Sequence, residues 1–503
     1  MHPTGKPQKI TISASFVAVL AGLLVAQALA TAHVYSSNLH LHNKITILNN
    51  SGYFIVPNIQ TAVDLQGIDT ALGGGLFFTL SVGAGLSMLS FAAAWLWIHR
   101  FIRHKFVFIL FTLLLIGIIY GVNHTGFVPF VTLYFILIPA IVFLLYVKLQ
   151  PPATTSRNQL VKLVPVCSLI ILALVWLTQL ESRLFVNIRD YFLLSNPVGM
   201  KINDFYYRYT LYAAEVFKPL DQKTLCTVNL SHINDPVLSN RLEQKLKQYD
   251  YLSIATENKT DLTINQVQNG LTLTDGNSAV LQTSATKFFT DTKSLLSEYS
   301  QKTDRYAFFR HLTFYGILFG FPTLLYFLFY SILRLITGLF MQPSFATIAS
   351  AAVCLVIGAT AMIPVQQGGD VEVTGGNLPK AIASKNWKER VSAVKYIEEQ
   401  RLEISRFPAY RKMLTSPHVP ERYWVMRALA ASRDSDTFNE LLLLLKDPHP
   451  NVLSQTLYAL GKRGSRKAIP AIIATINASN SWYVQRYGYN ALKSLGWNQH
   501  GSK

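Results

Sequence analysis

Seven stretches of the chain are almost uniformly apolar: Ile12–Ala32, Leu76–Ile98, Phe106–Val122, Phe127–Val147, Leu163–Leu180, Leu312–Leu333 and Phe345–Val365. A hydrocarbon layer about 30 Å thick takes about 20 residues of helix at 1.5 Å per residue, so each run has about the length of a membrane span. Backbone in lipid must satisfy its own hydrogen bonds, which makes helices the expected form. Trp95, Trp97, Tyr120, Tyr146 and Trp176 sit near run ends, where rings lie at the headgroup level. The third and fifth runs are short, and in the sixth Pro322 invites a kink while Arg334 interrupts apolar sequence that continues to Phe340. The count of about seven is therefore bracketed by six and eight. The first run also has a secretory-signal reading through Ala28-Leu29-Ala30 or Ala30-Thr31-Ala32, but its length favours a retained anchor.

Between and after these runs the pattern changes. Residues 33–74 read as a loop with the turn Asn49-Asn50-Ser51-Gly52; His40 and His42 would share one face of a strand, and with His33 they read as solvated, since no carboxylate or cysteine stands at ligand spacing. In the 181–310 segment, Phe185–Leu220 is dense in rings interleaved with Arg189, Lys201 and Arg208, the composition of a helix lying along a membrane–water boundary. A small α/β module follows. Its strands are expected at Leu225–Leu230, Tyr251–Ala255, Leu262–Val267, Leu271–Thr274 and Ala279–Thr283, with an amphipathic helix over Pro236–Gln248 and a hairpin signal at Asn269-Gly270.

The tail after the Gln366–Gly376 linker repeats itself. Glu389–Ile397, Glu421–Leu429, Asn451–Leu460 and Tyr483–Leu492 share one pattern, and their closing positions Ile397, Leu429, Leu460 and Leu492 are 32, 31 and 32 residues apart. A fixed period of this length is the mark of a solenoid. Leu441–Leu445 and Ala468–Ile476 supply first helices, breaks fall at Asp447-Pro448-His449-Pro450 and Asn480-Ser481, and Ala428, Ala459 and Ala491 allow close stacking. The pattern resembles HEAT repeats, in particular the short HEAT-like type first associated with phycobilisome lyases. The resemblance implies an α-solenoid that binds proteins and carries no lyase chemistry by itself. The first unit departs from it, with Tyr396-Ile397 in place of Ala-Leu and an extended Glu398–Phe407 segment, as a capping repeat would.

Charge divides the same regions. Of a net +18 over 503 residues, residues 1–180 with 311–365 hold +8, residues 181–310 only +1, and residues 366–503 hold +9. Nine of the bases in the membrane part (Lys6, Lys9, Arg100, Arg103, Lys105, Lys148, Arg157, Lys162 and Arg334) fall in alternate short loops or before the first run, against Lys44 alone on the other side. Cationic loops stay cytoplasmic, so the N-terminus is expected inside, with the large loop and the C-terminal domain outside the cytoplasmic membrane. A mean hydropathy of +0.27 with only 14% charged residues excludes a disordered chain and argues against an ordinary soluble enzyme. Three cysteines exclude a disulfide scaffold and a multi-cysteine zinc site.

The fold expected is mainly α: a multi-pass bundle over 1–180 and 311–365, an extracytoplasmic α/β module within 181–310, a linker at 366–376, and a HEAT-like α-solenoid over 377–503. No phosphate-binding loop, His-Glu-x-x-His, nucleophile elbow or Cys-x-x-Cys occurs, so neither an enzyme, a cofactor nor a metal site is expected. No ionisable Asp, Glu, Lys or Arg falls within the seven runs, which disfavours an ion-coupled pump. The function expected is a scaffold for cell-envelope complex assembly, in contact with membrane lipids and docking an acidic protein partner through Arg422, Arg427, Lys462, Arg463, Arg466, Lys467 and Arg486. Nucleic acid is not expected, and the oligomeric state stays open. The alternative is an envelope lipid- or glycan-processing enzyme or transporter, with a headgroup site at Glu181, Arg183, Arg189 and Asp190.

Overall fold

The computed structural model describes residues 13–150, 159–180, 184–254, 260–268, 270–276, 278–367 and 371–499. Lys6, Lys9, Arg157, Glu181, Arg183 and Asn269 lie outside these residues. The molecule is mainly helical and divides into two units, one built from residues 1–34, 71–185 and 305–367, the other from 35–70, 186–304 and 368–503.

In the first unit the apolar runs become helices. Six helices among the described residues are long and apolar enough to cross a membrane: Ala14–Asn50, Ile68–His99, Lys105–Asn123, Pro129–Leu149, Ala307–Thr337 and Pro343–Met362. The run expected at Leu163–Leu180 forms a shorter apolar helix, Leu163–Leu177. Small residues let two of these helices touch backbone to backbone: a Cβ on Gly316 would stand 2.7 Å from the Ser81 carbonyl, and one on Gly320 would stand 2.8 Å from Gly85 Cα. The Gly83-to-Ser87 stretch is thus a packing surface, with Ser87 set against Gly22 as well.

The first helix corrects the sequence reading. It does not end with the apolar run but continues to Asn50, so His40 and His42 lie on a helix and not on a strand. The cause is a change of pattern, not of structure. Beyond Val34 the helix is no longer uniformly apolar, yet Asn38, Leu41, Ile45 and Leu48 recur at helical spacing and turn inward.

The second unit contains the small module. Its strands β1 (Cys226–Asn229), β2 (Tyr251–Ser253), β3 (Leu262–Val267), β4 (Gly270–Asp275) and β5 (Ser278–Thr283) form one sheet in the order β2-β1-β3-β4-β5. β1 is parallel to both neighbours, and β3, β4 and β5 form antiparallel hairpins. The Pro236–Lys247 helix is the crossover between β1 and β2; Leu242 and Leu246, four residues apart, bury fully against Val228, Leu262 and Ile264. Asp261 anchors the module from inside. Its carboxylate accepts from the Thr227 amide at 2.7 Å and from the Lys44 ammonium.

The same unit holds the repeat array of four helix pairs. The second helices are Trp387–Glu399, Val419–Leu429, Pro450–Arg463 and Trp482–Ser494, each preceded by a shorter first element: Leu378–Ile382, the 3₁₀ turn Pro408–Met413, Asp436–Leu443 and Ile469–Ala478. Ile397, Leu429, Leu460 and Leu492 are all fully buried in one continuous core, which explains why the period is kept at these positions.

Candidate functional site

The repeat array is held in register by a device that recurs with it. Ser384, Ser416, Asp447 and Ser479, spaced 32, 31 and 32 residues apart, occupy the turn between first and second elements. Each side-chain oxygen accepts from the amide two residues on, at 2.8 to 3.1 Å, which starts the second helix. In three units a side chain six residues further donates back to the turn's carbonyl: Arg390 to Ser384, Arg422 to Ser416 and Gln485 to Ser479. The third unit carries Leu453 there.

The same arginines tie successive units together. Arg390 meets the fully buried Glu421 with two nitrogens, and Arg422 meets Asp447 with Nε at 2.7 Å. Ser416 donates its hydroxyl to Glu421 as well. Bidentate guanidinium–carboxylate pairs of this kind fix geometry as well as charge.

Seven basic residues were expected to form a partner surface, and the structure separates them. Arg422 is committed to Asp447, Arg427 donates to Glu398 at 2.9 Å beneath the Trp424 ring, and Arg463 is spent on the Asp434 carbonyl at 2.7 Å and the Thr437 hydroxyl at 2.8 Å. Arg486 is half-buried and reaches the Gln222 carbonyl at 3.4 Å. Lys462, Arg466 and Lys467 are exposed, clustered around the turn between the third and fourth units.

The ridge formed by the second helices is covered by other parts of the same unit. Asp190, fully buried, accepts from Trp424 Nε1 at 2.6 Å and from Arg189, with the Lys395 ammonium at 3.5 Å. The Arg189 guanidinium lies 3.8 Å over the Tyr423 ring. Burial works against its charge, but the Asp190 carboxylate outweighs that and holds its pKa above the ordinary arginine value. Further along the ridge Asn203 donates to Asn451 at 3.1 Å, and Tyr207 packs on Tyr483 with ring centroids 4.4 Å apart. Gln485 accepts from the Asn58 amide and donates to Thr61, and Gln499 pairs with the backbone of Phe54 in both directions.

This arrangement gives the Phe185–Leu220 stretch protein contacts that its reading as a boundary helix does not include. The stretch is a series of short helical segments whose polar and aromatic side chains from Arg189 to Tyr207 dock on the repeats, because the second helices offer ring faces and buried cations that match its Arg-Asp pair and its tyrosines. Arg189 and Asp190 do not form an open headgroup site, and their companions Glu181 and Arg183 lie outside the described residues. The docking was hard to foresee, since an Arg-Asp pair among rings has the same composition at an interface as at a membrane surface. The turn device was legible: Ser384, Ser416, Asp447 and Ser479 share the period of the apolar positions.

Among the described residues no group of three or more His, Cys, Asp or Glu side chains is placed to hold a metal ion, and His42 Nδ1 lies 3.0 Å from the Ala62 carbonyl. No curated protein and no solved structure matches the chain. Residues 407–493 match the family model described as HEAT repeats, and the C-terminal region of this protein is a HEAT-like repeat domain.

Proposed function

We propose that the protein is a multi-pass membrane scaffold whose repeat domain docks a protein partner in the assembly of a cell-envelope complex. Its apolar helices anchor it in the cytoplasmic membrane with the N-terminus inside and the repeat domain outside, and its role is binding and not catalysis. The repeat match supports the docking role, because such arrays commonly present extended protein-binding surfaces. The long apolar helices are compatible with the membrane role.

One observation narrows the docking surface. With the second-helix ridge taken up by the chain's own segments, the basic side chains that remain exposed among the seven are Lys462, Arg466 and Lys467. Leu443 and Tyr458, at 70% and 40% exposure, add apolar area on the same third unit. A basic patch with apolar anchors suits an acidic protein surface, where charge steers the encounter and apolar contact holds it.

The test is recovery of partners from solubilised membranes with the full chain and with a K462E/R466E/K467E variant. The variant is expected to insert and fold like the parent and to lose the partner; equal recovery removes this surface from consideration. A reporter fused after Lys503 that is active only in the cytoplasm would overturn the orientation.

A further inference from the structure

The apolar unit contains a cavity of about 1580 Å³ that no step of the docking reading uses. It is larger than the roughly 300–1,000 Å³ typical of small-molecule sites. Its long wall includes the helical stretch from Val82 to His99, which rises about 25 Å. Phe91, Trp95, Phe319 and Phe327 line its length. Its basic groups stand at one end, where Gln150 donates to the Tyr146 hydroxyl at 2.6 Å, His99 Nε2 lies 3.3 Å from the same hydroxyl and Arg334 completes the rim; the hydroxyls of Tyr315, Thr323 and Tyr326 are spread along its length.

The charge balance of this unit gives the cavity its meaning. Not one Asp or Glu occurs among its described residues, so none of the unit's described side chains offers Arg334 or His99 a carboxylate. A guanidinium at the mouth of an apolar cleft therefore calls for an anion that is part of an otherwise apolar molecule. A free phosphate would leave the length of the cleft unfilled, and a neutral amphiphile would leave the guanidinium without a counter-charge.

From this geometry we infer that the cavity binds one anionic phospholipid, its phosphate held by Arg334 and His99 and its acyl chains along Phe91, Trp95, Phe319 and Phe327. The Tyr146–Gln150 pair supplies hydrogen bonds beside the phosphate, and basic residues of the neighbouring turn, Arg100 and Arg103, raise the local concentration of anionic lipid without lining the cavity. The inference rests on this unit being embedded in a membrane.

Trp95 provides the readout. The full chain is reconstituted into vesicles of phosphatidylcholine and phosphatidylglycerol in which one or the other lipid carries brominated chains, and the quenching of Trp95 is taken as the difference between the parent and W95F. Brominated phosphatidylglycerol is expected to quench Trp95 well beyond its mole fraction, with a preference of roughly fivefold, about what one basic side chain contributes at a membrane surface. That preference should vanish in R334Q/H99Q and persist in R103Q, which keeps the cavity intact but removes a base at the same end of the unit. Equal quenching by both lipids in the parent means ordinary surrounding lipid only and overturns the inference, as does a preference that survives R334Q/H99Q. The parent protein alone decides the first point, so a variant that fails to fold does not shield the proposal. Failure of the parent to sediment with membranes would sink the membrane reading instead, a result distinct from equal quenching.

Discussion

In the apolar unit Gly316 and Gly320 bring two helices together at Ser81 and Gly85 without a single charged side chain, whereas the repeat unit buries Asp190, Glu421 and Lys395 in its contacts. Both units use small residues, since Gly461 and Gly488 of the repeats also meet Ala491 and Ile476 closely. The difference lies in what fixes the partner of each helix. In the membrane setting proposed for it, apolar surroundings would give no hydrophobic preference for one neighbour over another, so close backbone approach would have to select it. In the repeat unit apolar faces are alike from one unit to the next, and desolvated ion pairs distinguish the correct neighbour from a slipped one. Arg390 finds its carboxylate, Glu421, only when the second unit stands at its proper place, and Arg422 repeats the check on Asp447 in the third.

The sharpest way to break this contrast is to remove one of those charges. D190A would take away the buried carboxylate that the Lys395 ammonium and the Arg189 guanidinium share, at a cost of about 3–5 kcal/mol. E421A should cost somewhat less, about 2–3 kcal/mol, because Arg390 loses its carboxylate but keeps the Ser384 carbonyl. Denaturant unfolding of the purified protein, followed by tryptophan emission, reads both. A loss below about 1 kcal/mol in either would mean that the pairs are incidental and that apolar packing alone sets the register.

The next effect in size tests the apolar unit. A Cβ at residue 320 would stand 2.8 Å from both the Cα and the amide nitrogen of Gly85, backbone atoms that cannot swing aside. G320A is therefore expected to destabilise by about 1–3 kcal/mol in thermal denaturation of the detergent-solubilised protein. Gly117, also in an apolar helix, has no heavy atom within 4 Å of its built Cβ, so G117A should show no loss. Equal behaviour of the two would show that helix propensity, and not approach distance, governs this unit.

How much of this was readable along the chain follows the same division. Apolar runs announced the helices of the first unit, because lipid-compatible sequence is long and uniform. The module's strands fell within a residue or two of their expected places, since Leu262–Val267 alternates and Asp275-Gly276 marks a turn. The repeat helices were legible from period alone. What stayed hidden were contacts between segments far apart in sequence: the extension of the first helix to Asn50, and the docking of residues 186–210 on the second helices. Asp190 carries no mark of its partner Trp424, which lies 234 residues on, and Arg422 reads as a free base until Asp447 is placed beside it. A charge count along the chain registers such residues as surface, which is why the +9 of the tail overstates what is free to meet a partner.

The smallest effect sharpens the role of buried charge within the repeat unit, where two carboxylates titrate in opposite directions. Burial raises the pKa of Asp250, and the Tyr489 hydroxyl at 2.6 Å and the Lys493 ammonium at 3.0 Å offset this only in part. Asp261 is buried too, but the Lys44 and Lys223 ammoniums and the Thr227 amide overcome that and hold it below the ordinary carboxylate range. A carboxylate whose folded pKa exceeds its unfolded value of about 3.9 binds its proton more tightly when folded, so Asp250 adds stability as pH falls through its folded pKa towards that value. Asp261 contributes stability that is complete above about pH 3.9 and is lost below it. On acidification from neutrality the parent should therefore gain stability relative to D250N, by at most about 1.4 kcal/mol per pH unit, and show no change relative to D261N until the pH drops below about 4. Unfolding midpoints of the three proteins across mild acid give the two slopes. A common slope would mean that ammonium partners dominate at both sites, and that Lys493 holds its carboxylate as firmly as Lys44 does.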